Sequence, residues 1–197
     1  MAKAKYLAWI DLESSGLGEY SHPILEVGMI LTKADAPFEE LDSYEAVVLP
    51  DETKFSSWRS EMNTTVTRMH TKNGLLSDLR QDLAKPIEQV QAEMIAVIAP
   101  VGRPHSFMLA GSGVGHFDRK FIDAQLPEFS KWLQYPCLDV GVWRRGIEFA
   151  GRSDLVAFGE TFTTQGKPHR GLADVRDHLN EWRSYATLIG SLGERTK

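Results

Sequence analysis

The pattern of apolar and polar positions starts with an apolar run at residues 6–10, which ends on two carboxylates, Asp11 and Glu13, and then on turn residues at 14–16. An apolar run of this length between polar boundaries predicts a central strand that is buried on both faces. Residues i and i+2 of a strand point to the same side, so both carboxylates are expected on one face near the end of the strand. A solvated pair is the alternative, and a lone D-x-E pair favours it.

Two more strands are predicted directly after the first. Residues 24–31 form an apolar stretch that contains Glu26, and residues 38–49 alternate in part between apolar and polar side chains. Short turns join these segments to the first strand, so the pattern predicts an antiparallel meander of three strands. The polar and irregular segment 52–74 is expected to hold short helices.

The second half of the chain alternates between helical and strand patterns. Helices are predicted at residues 86–99, 118–125 and 142–149, and short strands at residues 107–110 and 137–140. Apolar residues then recur at steps of three and four across 172–189, which predicts a long amphipathic helix packed on the sheet. This order predicts an α/β fold with a mixed β-sheet flanked by helices, antiparallel in its first three strands and parallel afterwards.

Composition narrows the class of protein. The 197 residues, 42% apolar and 25% charged, are expected to form a single domain over residues 1–197. We expect neither a membrane span nor a secretory signal, and therefore a cytoplasmic protein, because the sequence contains no apolar run of about 18 residues. A net charge of -5 disfavours a protein that coats long nucleic acid through a broad basic face. The single cysteine, Cys137, excludes an intramolecular disulfide and is expected to be a small buried residue.

Two further acids gain significance from their positions. Asp118 follows a glycine-rich turn that does not fit the nucleotide-binding pattern G-x-G-x-x-G, because His116 stands where the last glycine is needed. Asp174 lies in the first turns of the last predicted helix, shortly after His169. With Asp11 and Glu13, these acids form a set of four carboxylates at the ends of separate elements, as two-metal phosphoryl chemistry requires.

A metal-bridged cluster of this kind also needs a base. Mg²⁺ and Mn²⁺ prefer oxygen ligands and often join protein carboxylates to substrate phosphate. An imidazole exchanges protons close to neutral pH, so His169 is the expected acceptor of the proton from the attacking water.

With these residues in view, the chain resembles the DEDDh 3′→5′ exonucleases, which have the ribonuclease H-like fold. The D-x-E motif of that family matches Asp11 and Glu13, its second aspartate matches Asp118, and its H-x4-D motif matches His169 and Asp174. The resemblance covers nearly the whole chain. It implies two Mg²⁺ or Mn²⁺ ions bound by the four carboxylates, with His169 as general base.

Within that family the chain is most similar to oligoribonuclease. The similarity is carried by the segment WIDLESSGL at residues 9–17 and by HTKNGL at residues 70–75, which corresponds to an HTxSGL-like segment in oligoribonucleases. The resemblance implies that Leu17 wedges against the terminal base, while backbone N–H groups near Gly16 hold the 3′ end. A leucine that covers the core is an equal alternative for Leu17.

Three basic side chains are also expected to meet substrate phosphates. His70 is one, although an ordinary surface histidine is the alternative. Lys167 and Arg170 are the others, because they neighbour His169. The remaining charged helix positions are expected to be a solvated face.

Three positions depart from the oligoribonuclease pattern. Thr65 stands where oligoribonucleases have a tryptophan that stacks on a base, and Pro136 and Gly141 stand where they have an arginine and a serine that cap the 5′ phosphate of a dinucleotide. An aromatic stack and a charged phosphate contact are each worth about 1–3 kcal/mol. We therefore expect this chain to process single-stranded oligonucleotides longer than two residues.

Three classes of function are compatible with these features. The first is an exonuclease that releases 5′-mononucleotides from short single-stranded RNA or DNA. The second is a nucleic-acid-binding module of the same fold with a silent site, and the presence of all five chemical residues argues against it. The third is a structural domain of a larger assembly, which leaves the four carboxylates without a rationale. The resemblance also implies a homodimer, although no residue pattern marks an interface.

Overall fold

The computed structural model describes residues 4–80, 83–162 and 169–194. Strands in these ranges are β1 (Tyr6–Ser14), β2 (Ile24–Lys33), β3 (Glu40–Leu49), β4 (Lys85–Pro86), β5 (Phe107–Gly111) and β6 (Leu133–Asp139). Helices are α1 (Trp58–Glu61), α2 (Thr64–Lys72), α3 (Leu75–Asp78), α4 (Ile87–Ile98), α5 (Asp118–Gln125), α6 (Pro127–Ser130), α7 (Val140–Phe149), α8 (Ser153–Glu160) and α9 (Gly171–Glu194). No helix in these ranges combines the length and hydropathy that crossing a lipid bilayer requires.

The strands form one mixed sheet in the order β4-β3-β2-β1-β5-β6. The first three strands pair antiparallel, whereas β5 pairs parallel with β1 and β6 pairs parallel with β5. The predicted meander and the predicted switch to parallel strands are both confirmed. The central strand, β1, is covered by helices on both faces of the sheet, which explains why its sequence is a continuous apolar run.

Side chains of β1 alternate between two cores. Ala8 and Ile10 pack with residues of α4, α5 and α6 on one side of the sheet, and Leu7 and Trp9 pack with residues of α9 on the other. Because the side-chain period of a strand is two, Asp11 and Glu13 extend the row of Leu7 and Trp9 toward α9.

Two glycines bring the start of α9 onto the sheet. Gly28 lies opposite Asp11 in the β1–β2 ladder, and a Cβ atom on Gly28 would lie 2.1 Å from the Gly171 carbonyl carbon. A side chain at either position would force the helix away from the strand. This backbone contact places the segment around His169 and Asp174 beside the end of β1.

One expectation about the fold is wrong. Cys137 is exposed instead of buried. The reason is that the face of the edge strand β6 that carries Tyr135 and Cys137 is open to solvent, whereas the opposite face is partly covered.

Candidate active site

A cleft of about 460 Å³ lies where β1 ends against α5 and α9. All five residues that the sequence singled out for chemistry line it: Asp11, Glu13, Asp118, His169 and Asp174. No lysine or arginine stands among the residues that the structure shows lining this cleft. Acidic side chains from three separate elements, β1, α5 and α9, therefore share one cleft.

The position of Asp118 is fixed by a backbone contact. Asp118 begins α5 and is buried, and its Oδ1 atom accepts a hydrogen bond of 2.9 Å from the Leu12 backbone N–H. Leu12 lies between Asp11 and Glu13, so this bond ties the second motif directly to the first. A carboxylate that accepts one backbone donor keeps further lone pairs for another ligand.

Asp174 and His169 are held by the first turn of α9. The Oδ2 atom of Asp174 accepts a hydrogen bond of 3.1 Å from the Arg170 backbone N–H. His169 has a φ of 64°, and this left-handed backbone turns the chain sharply just before the helix. One potential ligand atom from each of Glu13, His169 and Asp174 lies within 4.8 Å of the others. Such spacing permits these groups to share a small ligand.

Crowding and burial change the protonation of the acids. Burial raises the pKa of Glu13 from 4.5 to about 8, and the nearby charges of Asp174, Glu26 and Asp118 add to the effect. Burial likewise raises the pKa of Asp118 to about 7 and holds the pKa of Asp11 well above its usual range. Burial also raises the pKa of Asp174. Without a cation, the cleft therefore retains protons close to neutral pH.

This donor set fits a divalent cation with a preference for oxygen. Without a cation, burial and mutual repulsion keep the four carboxylates partly protonated. A bound divalent cation would lower their pKa values and favour the charged forms. The sequence assigned the metal ligands to the same four residues, and the structure brings them together in one cleft.

The turn that carries Leu17, the residue expected to wedge against the terminal base, also borders the cleft. Gly16 and Leu17 line it, and the Leu17 side chain is 82% exposed, so the alternative of a leucine that covers the core is wrong. Gln125 of α5 pins this turn, because its Nε2 atom donates to the carbonyls of Glu19 at 2.7 Å and His22 at 2.8 Å. Leu17 is therefore exposed on a turn whose backbone is held in place by Gln125.

The remaining expected phosphate contacts lie elsewhere. His70 is fully buried, with Nε2 at 2.9 Å from the Ser14 carbonyl oxygen, so it is not a surface histidine, and burial lowers its pKa. Arg170 pairs with Glu26 at 2.7 Å and with Asp78 at 2.9 Å. Neither side chain lines the cleft; both support the backbone around it. Lys167 lies outside the described residues.

The sequence pattern did not identify several residues that line the cleft. Val66 and Met69 of α2 form an apolar wall, and Phe117, His178 and Ser112 are also among the lining residues. The signals were present but weak: Val66 and Met69 are three positions apart in a polar segment, and His178 follows Asp174 by one helical turn. Burial lowers the pKa of His178 to about 4, so this ring is neutral at physiological pH.

Known proteins are similar to this chain in sequence and in fold. No family model matches the sequence. The oligoribonuclease of Corynebacterium diphtheriae is 33% identical over 181 residues, which cover 91% of this chain and 80% of that protein. The nuclease domain of 3′hExo, a DEDDh family member solved with rAMP, superposes with a TM-score of 0.60 at 20% identity and covers 93% of this chain and 92% of that one. Exonuclease I of E. coli, solved with a dT13 oligonucleotide, gives a TM-score of 0.69 at 12% identity over 97% of this chain and 43% of that one.

Proposed function

The chain belongs to the oligoribonuclease family of 3′→5′ exonucleases, and from that premise we propose that it shortens single-stranded RNA or DNA oligonucleotides from the 3′ end and releases 5′-mononucleotides. The observation that carries the proposal is the convergence of four carboxylates and His169 in one cleft beside an exposed leucine. Neither a silent binding module nor a structural domain requires this convergence.

Two Mg²⁺ or Mn²⁺ ions are the proposed cofactors, and Asp11, Glu13, Asp118 and Asp174 are the residues that would hold them. When bound, such ions supply an activated water and charge stabilisation at the leaving oxygen. His169 accepts the proton of the attacking water as general base, a role that contributes typically about 10²–10⁴-fold. The backbone at Gly16 and the side chain of Leu17 position the terminal nucleotide.

Apolar side chains offer a place for the terminal base. Leu17, Val66, Met69 and Phe117 line the same cleft, so a base can pack between the turn and α2. An apolar surface packs against all four bases in a similar way, because every base has a π-face. We therefore propose weak sequence preference.

The proposed substrates are longer than two residues. Thr65 is exposed and does not line the cleft, and Trp58 is only 2% exposed, so it cannot replace the missing aromatic stack. A Cβ atom on Gly141 would lie 2.8 Å from the Ser112 hydroxyl oxygen, so Ser112 fills the space where oligoribonucleases carry a serine. That hydroxyl can take the place of the missing serine, so the group that the cap lacks is the cation. Pro136 supplies none, which leaves this end of the cleft open to a longer strand.

The test uses a single-stranded RNA pentamer with a label at either end. A 5′ label should give a ladder that shortens one nucleotide at a time, and a 3′ label should appear at once as the mononucleotide. EDTA and the Asp11→Ala substitution should each stop the reaction, whereas Asp35→Ala, in the exposed turn between β2 and β3, should not. Binding without hydrolysis would favour the silent module, and EDTA-resistant cleavage would overturn the proposal. The homodimer and the cytoplasmic location stay predictions.

A further inference from the structure

His169 adopts a backbone conformation that few side-chain-bearing residues occupy. Its φ of 64° lies in the left-handed region, where a Cβ atom crowds the following carbonyl. Residues held there outside glycine depend on contacts from the surrounding structure. The direction of the imidazole is set by this turn, so whatever holds the turn also orients the proposed base.

A buried side chain from another element makes that contact. The side-chain amide of Asn73, the residue that follows α2, donates a hydrogen bond to the His169 carbonyl. Asn73 is 5% exposed, and its Oδ1 atom accepts a hydrogen bond of 3.0 Å from the Leu75 backbone N–H. Because Leu75 occupies the oxygen, the amide nitrogen of Asn73 is directed at His169.

The residue after His169 is anchored independently. Arg170 reaches Glu26, which is fully buried on β2, and the Glu26 Oε2 atom also accepts a hydrogen bond of 3.0 Å from the Gly171 backbone N–H. The Nη1 atom of Arg170 further lies 3.4 Å from the Asn73 carbonyl oxygen. Asn73 and Arg170 therefore brace both sides of the peptide that joins His169 to the helix.

We propose that Asn73 is a positioning residue that fixes the His169 imidazole toward the carboxylates, a role that rests on the proposed function of His169 as general base. The segment HTKNGL has asparagine where the similar HTxSGL segment of oligoribonucleases has serine. An asparagine amide nitrogen extends one atom further from its own backbone than a serine hydroxyl. In this chain, it is the longer side chain of Asn73 that reaches the His169 carbonyl.

The experiment compares Asn73→Asp and Asn73→Ser with wild type and with a matched control, Asn63→Asp. Asn73→Asp keeps the size and the acceptor for Leu75 but loses the donor to His169. Asn63 precedes α2 and accepts from the Val66 backbone N–H at 3.0 Å, so Asn63→Asp keeps its cap and tests the same chemical change. Three readouts are taken: kcat and KM on a labelled pentamer, the Mn²⁺ concentration for half-maximal activity, and the ring-proton NMR signal that is lost in His169→Ala.

We expect Asn73→Asp to lower kcat by about 10- to 100-fold, since small misplacement of a catalytic group has this scale of effect. KM and the Mn²⁺ concentration for half-maximal activity should stay within about twofold, and the His169 ring signal should move. Asn73→Ser should show the same split more weakly, and Asn63→Asp should match wild type.

Other outcomes are decisive as well. A kcat within twofold of wild type in both Asn73 variants would overturn the proposal. Equal damage to kcat, KM and the Mn²⁺ requirement would also overturn it, in favour of general support of the fold. If wild type fails to hydrolyse the pentamer, the proposed function fails, and the ring signal alone then decides whether Asn73 orients His169.

Discussion

Replacement of Glu13 by glutamine should stabilise the metal-free protein at alkaline pH. Glu13 is 6% exposed, and burial raises its pKa from 4.5 to about 8. Between these two pH values the folded protein holds a proton that the unfolded chain releases. The contribution of Glu13 to stability therefore falls as pH rises through this window, and the loss is complete above about pH 8.

The magnitude follows from the width of that window. At about 1.36 kcal/mol for each pH unit, the ionised Glu13 costs roughly 5 kcal/mol at most. Glutamine carries no charge at any pH and so avoids this cost. We expect Glu13→Gln to raise the free energy of unfolding in EDTA by about 2–5 kcal/mol at pH 8.5 and by little at pH 5.

The assay is urea denaturation in EDTA at several pH values, analysed as the difference between variant and wild type. The difference removes the opposite contribution of His178, whose lowered pKa makes the protein less stable as pH falls below 6.5. Glu148→Gln, at an exposed position of α7, is the matched control and should give a flat difference. A Glu13→Gln difference that is equally flat would refute the argument from burial and charge crowding.

Three further predictions concern the reaction. His169→Ala should lower the single-turnover rate by about 10²–10⁴-fold and leave Mn²⁺ binding largely intact; an unchanged rate would remove His169 from the chemistry. Gln125→Leu should free the turn that carries Leu17 and raise KM with little change in kcat, whereas Gln89→Leu, at an exposed position of α4, should change neither constant. Equal KM values in the two variants would show that the Gln125 hydrogen bonds play no part in substrate binding. The ratio of kcat/KM for a dinucleotide to that for a pentamer should stay below about tenfold, because an aromatic stack and a phosphate cap are missing, and a hundredfold dinucleotide preference would contradict this.

The fold, and the placement of Asp11 and Glu13 on one face of β1, were predictable because their signals are local. The apolar run of β1 identifies a central strand, and the period of two puts Asp11 and Glu13 on one side without any tertiary information. The helical spacing of α9 was equally readable. Asp118 follows a glycine-rich turn and Asp174 lies in the first turn of α9, and both settings can be read from the sequence.

The roles of His70 and Arg170 were not predictable from local sequence. Arg170 follows His169, which favoured a phosphate contact, yet its ion-pair partner Glu26 lies 144 positions away in the chain. His70 belongs to a largely exposed polar helix, and the burial of its ring goes with its contact to the Ser14 carbonyl at the end of β1. Which buried acceptor such a side chain reaches depends on distances in the folded protein. The periodicity of the sequence carries no information about those distances.

The central claim is that four carboxylates form one binding site for two divalent cations. Isothermal titration of the metal-free protein with Mn²⁺ tests it directly, with Asp118→Asn as the perturbation. Asp123→Asn, at an exposed position on the same helix, is the control. We expect two ions for wild type and for Asp123→Asn, and the loss of at least one in Asp118→Asn. Absence of saturable binding, or equal binding in all three proteins, would contradict the claim.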